Sequence, residues 1–253
     1  MVAEVTYRAT EPTSHSRFHV VMAAVFVLIA FGSFTPTYWS PVIFGPVSLP
    51  PIVHLHGALL FSWTLLYLLQ TSLVATGRLR RHQAFGLFGI ALFSLICCSI
   101  LATRLILLRL EVQQGFGEAG RRFSALALCS LPLLIGFFAA AIANNRRPEI
   151  HRRLMYLLMV GLMIPALARI FLVLLKPAGA LGPPPPVVVV FPTLTAALLI
   201  VVAMVRERRQ ERRIHPVTLY GGLILLLWTL AIVPFSSTPA WLATIHALEK
   251  IAG

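Results

Sequence analysis

Stretches of about twenty apolar residues recur along this chain, and the gaps between them alternate between strongly basic and nearly uncharged. The stretches lie at residues 18–34, 52–75, 85–103, 123–143, 154–174, 187–205 and 217–235. Each is long enough for an α-helix to cross the hydrocarbon core of a bilayer. The pattern predicts an all-α fold, a polytopic membrane bundle of seven transmembrane helices.

Composition agrees with a membrane location. The chain has 58% hydrophobic and 11% charged residues, and its mean hydropathy is +0.87. Such a chain has too little polar surface to cover a soluble domain of 253 residues. The net charge of +13 does not indicate nucleic-acid binding, because the basic residues cluster beside the apolar stretches instead of forming a soluble patch. A bacterial inner membrane is the expected location.

The distribution of charge predicts the orientation, because Lys and Arg concentrate in cytoplasmic loops. The gaps at residues 77–82, 144–153 and 206–213 are basic, whereas those at 35–51 and 176–186 carry at most one charge. The gap at residues 104–122 carries both positive and negative charges. It is placed outside because successive gaps lie on alternate sides of the membrane. The sequence therefore predicts the N-terminus inside and the C-terminus outside. Residues 1–17 form a cytoplasmic head, residues 18–235 the membrane domain, and residues 236–253 an amphipathic helix on the outer surface.

Prolines mark several expected features of the backbone. The run Pro183–Pro186 predicts a stiff polyproline connector. Pro165 and Pro192 fall within predicted spans, where a missing amide favours a kink. Near the end of the chain, Thr238 is placed to cap a short helix that Pro239 opens. Four apolar residues of that helix are available for the membrane interface: Trp241, Leu242, Ile245 and Leu248.

The second span carries a polar stripe. His56, Trp63 and Gln70 are spaced by seven residues, so they stay within roughly 40° of one helical face. His54 is two residues before His56 and points to a different side of a regular helix. Polar groups inside a span face a partner or a cavity more often than lipid, because their burial in hydrocarbon is costly.

Two layers of candidate site residues follow from the predicted orientation. The outer layer contains His56, Arg104 and Arg169, joined along the stripe by Trp63 and Gln70. It is predicted to bind an anion or carboxylate, with bidentate donors from the arginines; haem propionates, a quinone headgroup or an acidic metabolite would fit. In the alternative interpretation, both arginines reach lipid phosphates and the histidine caps its own helix.

The inner layer contains His82 and His151, each at the start of a predicted helix. Neutral imidazole is a good axial ligand for haem iron, and a bilayer supplies an apolar surrounding. If their helices adjoin, these two residues are candidate ligands of one b-type haem. Contact with lipid headgroups is the alternative, because each histidine lies beside arginines.

These residues also carry a resemblance to known families. The residues that carry it are His54, Leu55, His56, Gly57, Trp63, Gln70, Gly77 and His82, followed by His151, Arg152, Arg153, Leu154 and Met155. In the second to fifth spans the chain resembles uncharacterised bacterial multipass membrane families, which implies a shared bundle and no established reaction. It has a fainter resemblance to the cytochrome b561 type, whose histidines on successive helices bind two haems. That resemblance implies an inner pair, His82 and His151, and at most one haem, since the outer layer has only His54 or His246 to accompany His56.

Three functions remain open from the sequence. The first is an electron-transfer protein that holds a b-type haem or interacts with quinone. The second is a transporter of a small molecule or ion along the polar stripe, and the third is a non-catalytic accessory subunit of a membrane complex. The basic run from Arg206 to Arg213 is expected to contact anionic lipid headgroups. A retinal protein is excluded because Lys176 and Lys250 are the only lysines and neither lies in a span.

Overall fold

The computed structural model describes residues 14–45, 49–175 and 182–251. Within these ranges, seven helical segments are long and apolar enough to cross a membrane, and no strand is present. This confirms the predicted fold class, and the chain is a multi-pass membrane protein. The predicted head is largely outside the described residues, as is part of the loop at 176–186. Which end of the bundle faces the cytoplasm stays a prediction.

The boundaries of the helices follow ordinary start signals. Pro51, Pro148, Pro216 and Pro239 each occupy a first helical position, where the missing N–H costs no hydrogen bond. The helices are α1 (Ser14–Ser33), α2 (Ser40–Phe44), α3 (Pro51–Ala75), α4 (Leu79–Gln113), α5 (Gly117–Leu128), α6 (Ser130–Ala143), α7 (Pro148–Leu175), α8 (Val190–Glu211), α9 (Pro216–Phe235) and α10 (Pro239–Ile251).

The first span is longer than the sequence predicted. Between α1 and α2 the chain forms a π-helical turn, Thr35–Trp39, in which the Trp39 N–H donates to the Phe34 carbonyl at 3.1 Å. Pro36 explains the change of register, because its ring clashes with the backbone carbonyl one turn earlier and because it has no N–H to donate. The uncharged gap expected from residue 35 is therefore mostly helical, as far as Phe44.

The predicted outer loop at residues 104–122 is also mostly helix. α4 continues to Gln113, and α5 begins at Gly117 after a short turn in which Gly115 adopts a positive φ of 84°. Most of the charges that suggested a loop are paired: Arg104 forms an ion pair with Glu111 two turns further along α4, Arg121 with Glu249 and Arg122 with Glu118. Their pairing allows a helix to carry them.

The centre of the bundle is α7. It packs against α1, α6, α8 and α9, and five consecutive side chains from Tyr156 to Val160 are almost completely buried. α3 lies between α1 and α4. Among the described residues, neither α3 nor α4 makes an extensive backbone contact with α7, so the space between them is bridged by side chains. The three connections at residues 76–78, 144–147 and 212–215 lie together at one end, called the basic end here.

The prolines behave differently from one another. Pro165 lies inside α7, as predicted. Pro192 lies in the first turn of α8, directly after a 3₁₀ turn, and a kink there stays a prediction. Pro185 is extended, with φ −65° and ψ 147°, which agrees with a polyproline connector. Pro186 already begins a 3₁₀ turn, Pro186–Val189.

The last helix, α10, begins as predicted but packs differently. The Trp241 N–H donates to Thr238 Oγ1 at 3.3 Å, which confirms the cap. Trp241 and Ile245 are 4% and 0% exposed, because they pack with Leu108 of α4 and form a second, small core. Their predicted availability to the membrane interface is therefore wrong.

A close approach between α9 and α7 makes Gly221 sensitive to any side chain. A methyl group there would lie 2.5 Å from Leu157 Cδ1, and Leu157 is fully buried. We expect Gly221→Ala to lower the free energy of unfolding by about 1–3 kcal/mol through overpacking. Gly136→Ala, in α6 with nothing within 4 Å, is the control and should be neutral or slightly stabilising. Thermal unfolding in detergent measures both, and equal shifts would contradict the packing described.

Candidate functional site

The two inner-layer histidines lie together at the basic end of the bundle. His82 and His151 occupy the first turns of α4 and α7, directly after two of the basic connections. Their ring centroids are 6.3 Å apart and their ring planes are inclined at 86°. Helices that share little backbone contact therefore bring two imidazoles close together, with their ring planes nearly perpendicular.

The hydrogen bond of His151 fixes its tautomer. Its Nδ1 lies 2.8 Å from the carbonyl oxygen of Ala141 in α6. Because a carbonyl only accepts, Nδ1 must carry the proton, and Nε2 of the neutral ring keeps its lone pair. Histidines that bind metals commonly donate their other nitrogen to a backbone carbonyl in this way. His82 has a buried Nδ1 with no hydrogen-bond partner in the described part of the chain.

The predicted stripe on α3 faces α4. Gln70 Nε2 donates to the backbone carbonyl of His82 at 3.1 Å, and its Oε1 is buried without a partner among the described residues. Trp63 is 3% exposed and packs against the rings of both Phe93 and Phe138, at centroid distances of 5.3 and 5.8 Å. Its indole nitrogen is likewise buried with no described partner. Buried polar atoms are rarely left unpaired, so a water molecule or a polar ligand would satisfy these atoms.

At the other end of α3, His56 and His54 face different neighbours, as predicted. His54 Nδ1 lies 2.8 Å from the hydroxyl of Tyr38 in the π-helical turn. His56 Nδ1 lies 2.9 Å from Ser99 Oγ of α4, and that hydroxyl donates its only proton to the Ile96 carbonyl at 2.8 Å. His56 must therefore donate through Nδ1, which leaves Nε2 as an acceptor.

The predicted outer-layer residues have separate neighbours. Arg169 lies 5.2 Å from the centroid of the Phe34 ring. Arg104 is 6% exposed and instead pairs with Glu111, with its guanidinium 5.6 Å from the Phe123 ring centroid. Arg104 thus faces α5 and has its own counter-ion.

The basic end contains a buried ionic network that the sequence did not reveal. Arg153 is 4% exposed and donates through Nε to Glu207 at 2.6 Å and through Nη2 to both oxygens of Glu211 at 2.7 Å. Glu207 also accepts from the Thr218 hydroxyl at 2.7 Å and from the His215 N–H at 2.9 Å. The network joins α7, α8 and α9. Two acidic residues four apart in a basic run were the available signal.

This network divides the basic run into two faces. Glu207 and Glu211 face inward, toward Arg153. The exposed arginines of the run are Arg208, Arg209, Arg212 and Arg213. Contact of these exposed arginines with anionic headgroups stays a prediction.

Comparison of the chain with protein-family models, curated proteins and solved structures finds no match. The resemblance of its motifs to bacterial multipass families and to the cytochrome b561 type therefore stays a prediction. In the described ranges no group of three or more His, Cys, Asp or Glu side chains is arranged to hold a bare metal ion. Two histidines suit an ion whose remaining ligands come from a macrocycle.

Removing Arg153 should leave Glu207 without its ion-pair partner, whereas Glu211 keeps its ion pair with Arg152. We expect Arg153→Leu to destabilise the protein by about 3–5 kcal/mol, because Glu207 then remains buried and unpaired. The double variant Arg153→Leu with Glu207→Gln should recover part of that loss. Arg209→Leu, an exposed change in the same region, is the control. Thermal unfolding in detergent measures all three, and a neutral Arg153→Leu would argue against a stabilising network.

His215 should make stability depend on pH. Burial and then the positive charge of Arg153 lower the pKa of His215 from its ordinary value of 6.5, and its Nδ1 accepts from the Val217 N–H at 3.1 Å as a helix cap. A lowered folded-state pKa means that the unfolded chain binds the proton more readily. The stability from neutral His215 is therefore present above about pH 6.5 and is lost as the pH falls below it.

The matched variant is His215→Asn, which keeps a capping acceptor that does not titrate. Melting temperatures of the purified protein between about pH 8 and pH 5 should fall less for His215→Asn than for the unaltered chain. His246→Asn, in α10, should follow the unaltered chain. Parallel curves for all three proteins would rule out His215 as the titrating group.

Proposed function

We propose that this chain is an electron-transfer protein of the bacterial inner membrane that binds one b-type haem through His82 and His151. The geometry of this histidine pair carries the proposal. When two imidazoles bind one metal ion from opposite sides, each metal–nitrogen bond is about 2.0 Å long and each ring centroid lies a further ~1 Å behind its nitrogen. The two ring centroids are then roughly 6 Å apart. The observed separation of 6.3 Å agrees with that span.

The chemistry of the donors also fits. His151 keeps Nε2 unprotonated because Nδ1 donates to the Ala141 carbonyl, which also orients the ring. The side-chain amide of Gln70 donates a hydrogen bond to the backbone carbonyl of His82 and so helps to hold that residue in place. The unpaired polar atoms of Gln70 and Trp63 lie along the same side of α3. Polar groups of a bound ligand would satisfy them.

The remaining residues determine the environment of such a site. Trp63, Phe93 and Phe138 pack next to one another and exclude water from the middle of the bundle. A haem held by two imidazoles supplies one-electron redox chemistry without an open position for a substrate. The protein would then set the reduction potential of the haem by excluding water and by the positive charge of the nearby arginines at the basic end.

The transport alternative is less well supported by the contacts of the stripe. His56, Trp63 and Gln70 contact Ser99, Phe93 and His82 of α4. Their polar and aromatic groups thus serve the packing of α3 on α4. That arrangement favours a binding site between helices over a continuous path for a solute.

Absorption spectroscopy tests the proposal. The protein, expressed with ample haem supply and purified in detergent, should show the Soret band of a six-coordinate low-spin haem, at about one haem per chain. His82→Ala and His151→Ala should each abolish that spectrum or convert it to a five-coordinate form. His246→Ala, which removes an exposed histidine bonded within its own helix, is the control. A protein that purifies without haem, or variants with unchanged spectra, would refute the assignment.

A further inference from the structure

We propose that Gln70 is a positioning residue for His82: its Oε1 accepts the Nδ1 proton of the imidazole and so leaves Nε2 unprotonated for a metal. This role rests on the proposed function, because the metal is the iron of the haem proposed there. His151 already has a partner of this kind in the Ala141 carbonyl. An acceptor at the other ring nitrogen fixes both the tautomer and the orientation of a metal-binding histidine.

The side chain of Gln70 lies against the first turn of α4. Its Nε2 donates to the backbone carbonyl of His82 at 3.1 Å. Because the nitrogen of an amide donates and its oxygen accepts, this bond determines which way the amide is turned. Oε1 belongs to the same planar group, so the acceptor is held beside the residue whose carbonyl the amide already binds.

Gly86 leaves room for this amide next to the imidazole. A methyl group at Gly86 would lie 3.7 Å from Gln70 Nε2, so a larger side chain there would overlap the amide. Gly86 is four residues beyond His82, and side chains four apart on a helix are neighbours on one face. The Gln70 amide therefore takes the place of a helical neighbour of the His82 side chain.

Each of these two residues has an unpaired polar atom. His82 Nδ1 and Gln70 Oε1 are both buried without a hydrogen-bond partner in the described part of the chain. A ring nitrogen can carry a proton and an amide oxygen accepts one, so each atom supplies what the other lacks. The bond requires a turn of the imidazole about its Cβ–Cγ bond, a torsion with broad minima. Forming it removes the cost of two buried unsatisfied groups.

The hydrogen bond has a consequence for the metal ligand. An imidazole that donates its Nδ1 proton to an acceptor is more basic at Nε2. A more basic ligand stabilises the oxidised state of an iron more than the reduced state. Loss of the Gln70 acceptor should therefore weaken haem binding and raise the reduction potential.

NMR spectroscopy of the full chain without haem, labelled with ¹⁵N in its histidines, tests the hydrogen bond at about pH 8, where these rings are neutral. The His82→Ala variant assigns the signals. We expect the His82 proton on Nδ1 in the unaltered chain and on Nε2 in Gln70→Met, which keeps the length of the side chain and loses the amide. Gln83→Met, an exposed change beside His82, is the matched control and should keep the proton on Nδ1. Gln70→Glu should also keep it, because a carboxyl group still accepts.

The haem-loaded protein gives a second measurement. Gln70→Met should bind haem about tenfold or more weakly than the unaltered chain and should have a higher midpoint potential. Gln83→Met should match the unaltered chain in both, and Gln70→Glu should not raise the potential.

A proton on Nε2 of His82 in the unaltered chain, or one that stays on Nδ1 in Gln70→Met, overturns the proposal. Equal haem affinities and potentials in Gln70→Met and Gln83→Met also overturn it and leave the haem assignment standing. If the unaltered chain has no Soret band, the haem assignment fails, and the tautomer of His82 still decides whether Gln70 positions the ring.

Should Gln70→Met fail to fold by its melting curve, Gln70→Asn decides. It keeps the amide but withdraws the acceptor by one methylene, so the His82 proton should move to Nε2. A proton retained on Nδ1 in that variant would contradict the proposed role.

Discussion

A charge removed from water must find a partner inside the protein, and this constraint organises the whole bundle. Arg153 satisfies it between α7 and α8, Arg104 within α4, and Arg121 by reaching Glu249 of α10 at 2.9 Å. The pairs of Arg153 and Arg121 also fix how two helices sit against each other, because the charged hydrogen bonds are directional. Arg169 differs, because its contact is the face of the Phe34 ring and it has no carboxylate partner among the described residues.

The neutral polar groups also need partners inside the protein, and they find them in backbone carbonyls of neighbouring helices. His151 donates to a backbone carbonyl of α6, and Tyr156 donates to the Leu199 carbonyl of α8 at 2.7 Å. These bonds tie neighbouring helices together where apolar packing gives no hydrophobic driving force, since lipid tails are equally apolar. They also determine which ring nitrogen of each histidine remains available. Structure and candidate chemistry thus depend on the same hydrogen bonds.

The sequence predicted the number and type of the helices because hydropathy over about twenty residues measures the same property that a bilayer selects. It failed at helix ends, since charged residues such as Arg104 and Glu111 suggest a loop unless their pairing across two turns is foreseen. The spacing of His56, Trp63 and Gln70 correctly placed them on one face.

Partners on other helices required the structure, because spacing within one segment contains no information about its neighbours. Arg153 meets Glu207, 54 residues away, only once α7 and α8 are packed. Ser99 and Tyr38 lay outside every predicted layer, although each bonds a histidine that the sequence singled out. The π-helical turn that positions Tyr38 has no sequence signal beyond Pro36. Local patterns thus identify faces, and tertiary packing supplies their partners.

The length of α4 has a structural consequence. Its 35 residues extend about 52 Å, whereas the hydrocarbon core is roughly 30 Å thick, so α4 is about 20 Å longer than that core. Its far part carries Leu108, around which α5, α9 and α10 gather, while its first turn carries His82. One continuous helix therefore joins the small core around Leu108 to the imidazole at the basic end.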